Sequence, residues 1–333
     1  MLDIRERIKG ALIGVAYGDS LGMPGEMWSR EEIREKLGEI TSFQSGHPDN
    51  PISSRLVRGE VTDDTINTLL VVDMLAENHG KVDCMLFIRK LKAWIACSEK
   101  SSAVVGPSTA KAISLIDSGV PVSETGKTGI TNGGAMKILP VGLAVGMKQG
   151  WTMEELADEA ANLCMPTHHT SVAVSAACAI GAGAACALRE GADVAQIWEG
   201  MIAGAEQGSL KGCPAAAPSV AARMQMGRYF AGNYDTESAL QNIYDYIGTG
   251  LSSAESIPAA ASLFLLAEGD PLACGRYAAN LGGDTDTIGA MACGICGAYK
   301  GSGAFLEEDV RLLEKVNGIS FEEYTDKLMK CSA

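Results

Sequence analysis

Two short acidic clusters hold the side chains best suited to chemistry. One is Thr62-Asp63-Asp64-Thr65 and the other is Gly282-Gly283-Asp284-Thr285-Asp286-Thr287. Each lies directly before an apolar run, from Ile66 in the first case and Ile288 in the second, so each is expected at a helix N-terminus. One carboxylate there needs no function, because Asp and Thr cap helices by accepting free backbone amides. Two adjacent Asp in one place, and two Asp one residue apart in the other, exceed that need. Their mutual repulsion would raise their pKa values unless a cation joined them. Oxygen-only ligands suit a hard ion such as Mg²⁺, Mn²⁺ or Ca²⁺ rather than Zn²⁺. Capping together with solvated charge is the alternative to metal binding.

Familiar short motifs do not account for these clusters. An EF-hand loop starting at Asp284 wants Glu at its twelfth position, where Ile295 stands. An Asp-x-Asp phosphohydrolase site needs a buried strand before it, and Ala278-Ala279-Asn280-Leu281-Gly282-Gly283 is a poor one. No Gly-x-x-x-x-Gly-Lys-Ser/Thr phosphate loop occurs. The acid-rich helix of the all-helical, Mg²⁺-dependent terpenoid synthases is the more serious competitor. Here that run reads Asp63-Asp64-Thr65-Ile66-Asn67, with Asn in place of the last acid. The second motif of those enzymes, with Asn, Ser and Glu along one helix face, is missing from the Asp284 segment.

Further segments add candidates. The stretch from Gly10 to Glu26 is glycine-rich, which permits close backbone approach, and Glu26 follows a Pro-Gly turn. Gly129-Ile130-Thr131-Asn132-Gly133-Gly134-Ala135-Met136-Lys137 is a Gly-rich turn whose successive amides can cradle phosphate, although a plain loop reads as well. Pro166-Thr167-His168-His169 opens an Ala-rich run; zinc would need more ligands, and the other histidines are His47 and His79. Cys293 and Cys296 lie inside an apolar helical run, where thiols act as small core hydrophobes rather than a redox pair.

The elements that must position these residues read as helices throughout. Leu2, Ile4, Ile8, Leu12 and Val15 form a helical stripe before Gly18. Thr152 with Glu155, and Ser320 with Glu323, fit the capping box. Asp270-Pro271 reads as an N-cap followed by proline at the first helical position, and Pro107 and Pro258 likewise open apolar helical runs. Loops are clearest over 42–59 and 118–134, and alternating strand patterns and two-residue hairpin signals are missing. With 47% hydrophobic and 20% charged residues in 333, there is ample material for a core. Only 5% of residues are aromatic while glycines number 39, which suits closely packed helices. The expectation is one all-α domain spanning 1–333, with on the order of a dozen helices.

Composition also excludes functions. A net charge of −14 argues against nucleic-acid binding, which needs clustered Lys and Arg, although bound cations would still admit a small anionic substrate. The N-terminal MLDIRERIKG carries charges where a signal peptide needs an apolar run. The uncharged stretch 171–188 is Ala/Gly-rich rather than Leu/Ile-rich, so it reads as a buried central helix and not a membrane span. The ten cysteines are scattered, several in apolar runs. Reduced thiols and a cytoplasmic setting are expected.

In this order, Gly-Asp-x-x-Gly, Thr-Asp-Asp-Thr, Asn-Gly-Gly-Ala-Met, Thr-His and Gly-Gly-Asp-Thr-Asp-Thr resemble the ADP-ribosylglycohydrolase family over most of the chain. The resemblance implies an all-α fold and two Mg²⁺ or Mn²⁺ ions held by Thr62, Asp63, Asp64, Asp284, Asp286 and Thr287. It implies hydrolysis at the anomeric carbon of a ribose, with Glu26 or Asp286 orienting or deprotonating the water. Gly129, Thr131, Asn132, Gly133 and Gly134 would face the diphosphate of an ADP-ribosyl group, with His168 nearby. Two departures fall in that loop. Some family members carry an extra Gly and Ser before the Asn-Gly-Gly, where this chain has Ile130-Thr131, and they often have Arg where Lys137 stands. The leading expectation is therefore metal-dependent removal of ADP-ribose from a protein side chain or small acceptor. A hydrolase of small N-ribosides or nucleosides is the alternative, and a non-catalytic ADP-ribose-binding protein the minor one.

Overall fold

Apolar residues recur at helical spacing from end to end, and the chain accordingly builds its regular structure from helices. The computed structural model describes residues 2–97 and 106–332. Seventeen α-helices follow one another there. The first six are α1 (Ile4–Gly22), α2 (Arg30–Lys36), α3 (Asp63–Glu77), α4 (Cys84–Cys97), α5 (Pro107–Asp117) and the single turn α6 (Val122–Thr125). Next come α7 (Leu139–Gly146), α8 (Met153–Cys164), α9 (Ser171–Ala187), α10 (Val194–Ser209), α11 (Val220–Asn233) and α12 (Thr236–Asn242). The last five are α13 (Ser253–Leu266), α14 (Pro271–Ala279), α15 (Thr285–Lys300), α16 (Glu307–Asn317) and α17 (Phe321–Met329). The bridges Thr131–Ser252 and Thr170–Cys213 are the only extended pairings among the described residues.

Local chemistry sets most helix ends. Asp270 accepts from the amides of Leu272 and Ala273, with Pro271 opening α14. Thr152 and Ser320 each cap through the amide three residues on, but neither pair forms the expected reciprocal box. Lys148 and Lys327 take the Glu155 and Glu323 carboxylates instead. Full boxes occur at Ser29/Glu32 and Asp193/Gln196. Pro258 departs further, because it lies inside α13 and does not open it. Its missing N–H frees the Ala254 carbonyl, which accepts from the Arg223 guanidinium at 2.9 Å, so the helix continues without an orphaned acceptor.

One seam organises the core. Gly10, Gly14, Gly18 and Gly22 recur every fourth residue on α1, and that face lies backbone to backbone on α15. A Cβ at Gly14 would sit 2.1 Å from the Cys293 carbonyl oxygen, one at Gly18 2.0 Å from Gly289 O, and one at Gly22 2.3 Å from Thr285 O. In the other direction, a Cβ at Gly297 would lie 2.0 Å from Gly10 O. No side chain fits there, so the two helix axes approach more closely than side-chain packing allows.

Around the seam a single apolar cluster runs from Ile8 to Leu328. The uncharged stretch is α9, buried from Val172 to Ala187 and packed between α7, α8, α10, α13 and α15. No helix among the described residues is long and apolar enough to cross a membrane. All ten cysteines are free, and Cys178, Cys186, Cys293 and Cys296 are buried as core filler.

Replacing Gly14 by Leu should unfold the protein or cost about 3 kcal/mol or more, the upper range for overpacking where backbone cannot yield. Gly232→Ala on α11, where a Cβ meets nothing within 4 Å, should cost nothing. Urea denaturation of both variants checks the pair.

Candidate metal centre

The first acidic cluster sits at the N-terminus of α3, as its sequence suggests, but what holds it there is a residue from another helix. Thr62 is the N-cap, and its hydroxyl accepts the Asp64 amide. Asp19 of α1, fully buried, receives the N–H of Thr62 at 3.0 Å and the N–H and hydroxyl of Thr65 at 3.1 and 2.5 Å. A carboxylate from α1 thereby caps α3, where free amides and the helix dipole both favour negative charge. Sequence reasoning missed this role. The Gly-Asp-x-x-Gly segment stands out for its glycines, and nothing local reveals that Asp19 reaches a helix beginning 44 residues later.

The second cluster begins α15. Gly282 and Gly283 adopt φ of +82° and +81°, and a Cβ on Gly283 would lie 2.3 Å from the Thr249 carbonyl oxygen. Only glycine makes that turn without strain. It places Asp284 at the N-cap position, yet the Asp284 carboxylate makes no capping bond. It accepts from Asn132 Nδ2, which also donates to Ser256 Oγ at 3.0 Å. Both Asn132 amide hydrogens therefore have acceptors within the protein. The segment 26–28 is laced to the same turn, with the Met27 amide on Gly283 O at 2.7 Å and the Gly283 amide on Trp28 O at 2.8 Å. The buried Asn50, in the loop over 42–59, donates to Glu26 O at 2.9 Å.

These supports bring carboxylates from four segments together. One oxygen from each of Asp19, Asp64 and Asp286 lies within 4.8 Å of the others, and the same holds for Glu26, Asp284 and Asp286. Asp286 belongs to both groups. The Asp19 oxygens are already occupied by three donors, so Asp19 positions the cluster. By contrast, Asp64 Oδ1 and Asp286 Oδ1 are buried with no hydrogen-bond donor among the described residues. Buried acceptors without donors are rare and costly, and a hard cation would satisfy both. The hydroxyls of Thr62 and Thr287 donate to Asp64 Oδ2 at 3.2 and 3.1 Å. Asp63 belongs to neither group; it is partly exposed and faces the cavity above.

The electrostatics agree with an arrangement short of positive charge. Burial pushes the Asp19 carboxyl up to about 6, against hydrogen bonds from Thr65 and Thr62. Burial and then the charges of Asp19 and Asp284 push Asp63 up to about 8. Asp64, Asp286 and Glu26 are raised well above the usual carboxylate range, first by burial and then by their acidic neighbours. Lys137 is buried behind the cluster and donates to Gly133 O. Burial lowers its pKa, which the acidic neighbours oppose.

Above the carboxylates opens a cavity of about 200 Å³. Glu26, Asp63, Asp284 and Asp286 lie along it with Thr131, Asn132, Gly133 and His168. Thr131 Oγ1 and His168 Nε2 are 2.9 Å apart, and His168 Nδ1 is 2.7 Å from Thr167 Oγ1. Burial and the nearby Lys137 hold the His168 imidazole well below its usual pKa, so it is neutral. Gly133 is packed under this ring, since a Cβ there would be 2.7 Å from Cε1. Gly129 and Gly134 do not reach the cavity. They pack against Thr167 O and Cys164 Sγ respectively. No Lys or Arg among the described residues lines the cavity.

Comparison with known proteins places this arrangement in context. The family described as ADP-ribosylglycohydrolase matches residues 1–332. The chain is 36% identical over 327 residues to the uncharacterized protein YegU of Escherichia coli (strain K12), covering 98% of this chain and 97% of that one. It is 29% identical over 143 residues to the ADP-ribosyl-[dinitrogen reductase] glycohydrolase of Rhodospirillum rubrum, covering 42% of this chain and 45% of that one. A solved structure titled ADP-ribosylglycohydrolase-related protein complex superposes with a TM-score of 0.66, covering 99% of both chains. At 23% identity that likeness is one of fold.

Raised carboxyl pKa values have a definite sign. The metal-free fold binds protons more tightly than the unfolded chain, so its stability falls as pH rises from about 4, the ordinary carboxylate value, through about 8, the Asp63 value. In EDTA the melting temperature should drop between about pH 5 and pH 8, and excess Mg²⁺ should flatten that dependence. A melting temperature that rises with pH in EDTA would refute the uncompensated cluster. Asp19→Asn should cost about 1.5–3 kcal/mol by weakening charged hydrogen bonds to α3, measured by denaturant titration.

Proposed function

The chain belongs to the ADP-ribosylglycohydrolase family, and on that premise we propose that it is a divalent-metal-dependent glycosidase that releases an ADP-ribosyl group from a protein side chain or small acceptor. The reading rests on one observation above all, the two carboxylate groups that share Asp286 beneath a cavity, with two buried oxygens left for cations. Asp64, Asp284 and Asp286, with the hydroxyls of Thr62 and Thr287 and the carboxylate of Asp63, would hold two Mg²⁺ or Mn²⁺ ions. When bound, such ions supply Lewis acidity toward a ribose diol and lower the pKa of a coordinated water.

The chain's own groups divide the remaining work. Asp286 is common to both groups, which commits it to ligation. Glu26 belongs to one group, stands partly exposed at the cavity wall, and has its backbone fixed by Asn50. It is the better placed carboxylate to orient the attacking water and take its proton. Thr131, held by neutral His168, presents a hydroxyl to the substrate. Met27, Ile52, Met136 and Leu251 supply apolar wall that restricts water.

A second reading, hydrolysis of small N-ribosides or nucleosides at the same site, is favoured by one feature. A diphosphate would enter a cavity lined by four carboxylates and, among the described residues, no Lys or Arg. An assay with Mg²⁺ and with Mn²⁺ against ADP-ribosyl-arginine, ADP-ribosyl-serine and common nucleosides decides between them. Release of ADP-ribose supports the first reading, and release of free base with no ADP-ribose release supports the second.

Glu26→Gln should lower kcat by roughly 10²–10⁴-fold, the range for a lost general base, while Mg²⁺ still raises the melting temperature. Asp286→Ala should abolish both turnover and that metal-dependent shift. Near-normal turnover of Glu26→Gln would transfer the base role to another carboxylate.

A further inference from the structure

Outside the metal centre, a groove of about 420 Å³ opens between α2, α12 and α14. Arg30 and Arg34 reach it from α2 and Arg276 from α14, an unusual convergence in a chain of net charge −14. Two acids, Glu39 and Glu237, line it as well, which leaves one net positive charge. Glu237 contacts both Arg30 and Arg34, at 3.1 and 3.4 Å, from a side chain that is two-thirds exposed, so it is easily displaced.

Arg30 carries the argument. Its side chain is nine-tenths buried. Nη1 donates to Gln241 and Nη2 to Glu237, but Nε is buried with no acceptor among the described residues. Nε and Nη2 form the guanidinium edge that binds carboxylate and phosphate side-on. A buried donor without an acceptor is a standing cost that an oxyanion on this edge removes. Arg276 adds an exposed guanidinium that makes no hydrogen bond or ion pair among the described residues. Beside these cations, Ile33, Leu240 and Tyr277 supply apolar wall. Phosphate oxygens on the arginines and an organic ring on that wall match the two halves of the groove.

We infer that this groove is a binding site for a small phosphomonoester carrying a ring, of mononucleotide size, separate from the metal centre. Arg34 and Arg276 are exposed and lie outside the proposed catalytic machinery, so their removal leaves the fold and basal turnover in place. The test is isothermal titration of the whole protein with AMP, inorganic phosphate and adenosine, in EDTA at low salt. One AMP should bind per chain, more tightly than inorganic phosphate, with adenosine weaker than AMP by at least about tenfold. Arg34→Ala and Arg276→Ala should each weaken AMP by about tenfold or more while their melting temperatures stay at the wild-type value. The inference is overturned if AMP gives no heat, if adenosine or phosphate binds as tightly as AMP, or if either variant keeps wild-type affinity. The last result would place AMP elsewhere, including the metal-site cavity. None of these outcomes depends on glycosidase activity, so the function proposed above stands or falls separately.

Discussion

The backbone contact between α1 and α15 is the constraint from which the site follows. Four glycines at intervals of four residues let the two helices meet with no side chain between them. At one end of that seam Gly22 lies against the Thr285 carbonyl, which fixes the exit of α1 relative to the first turn of α15. Asp19 lies one turn inside that exit, Glu26 just beyond it, and Asp286 in the opposing first turn. Carboxylates cannot be held within 4.8 Å of one another by loops that drift by an ångström or two. A rigid seam sets that distance before any metal is present.

Such a cluster works against the stability of the fold, and the surroundings show how the chain limits the damage. The N-termini of α3 and α15 both face the acids, so their amides and dipoles stabilise negative charge. Thr62, Thr65 and Thr287 donate hydroxyls, Asn132 donates to Asp284, and Asp19 is spent on capping α3. What remains uncompensated is narrow, namely one oxygen each on Asp64 and Asp286. Functional sites are where folds retain such deficits, because a ligand is to supply the missing partner.

The same packing shapes what can enter. Gly133 lies flat under His168, so the Asn-Gly-Gly turn is pinned from one side by the imidazole and from the other by Lys137 on its carbonyl. The turn looks in sequence like a phosphate cradle, yet in the fold its Asn serves Asp284 and its last glycine serves Cys164. Four carboxylates, hydroxyls and apolar side chains line the cavity.

The amino-acid sequence by itself determined the helical class, the N-terminal positions of both acidic clusters, the buried character of α9, and the family. These are written in local periodicity, in capping chemistry, and in short motifs that need no distant partner to be recognised. Pro258 misled that reading, because its effect inside α13 depends on Arg223 reaching a freed carbonyl 31 residues away. Asp19 escaped it for the same reason, since its partners are amides on another helix. Only the tertiary structure separated Asp63 from the shared carboxylate groups, turned Asn132 toward an acid, and removed Gly129 and Gly134 from the cavity. Such assignments depend on which backbone groups are left unpaired once helices pack, and that is a property of the assembled fold, not of any segment.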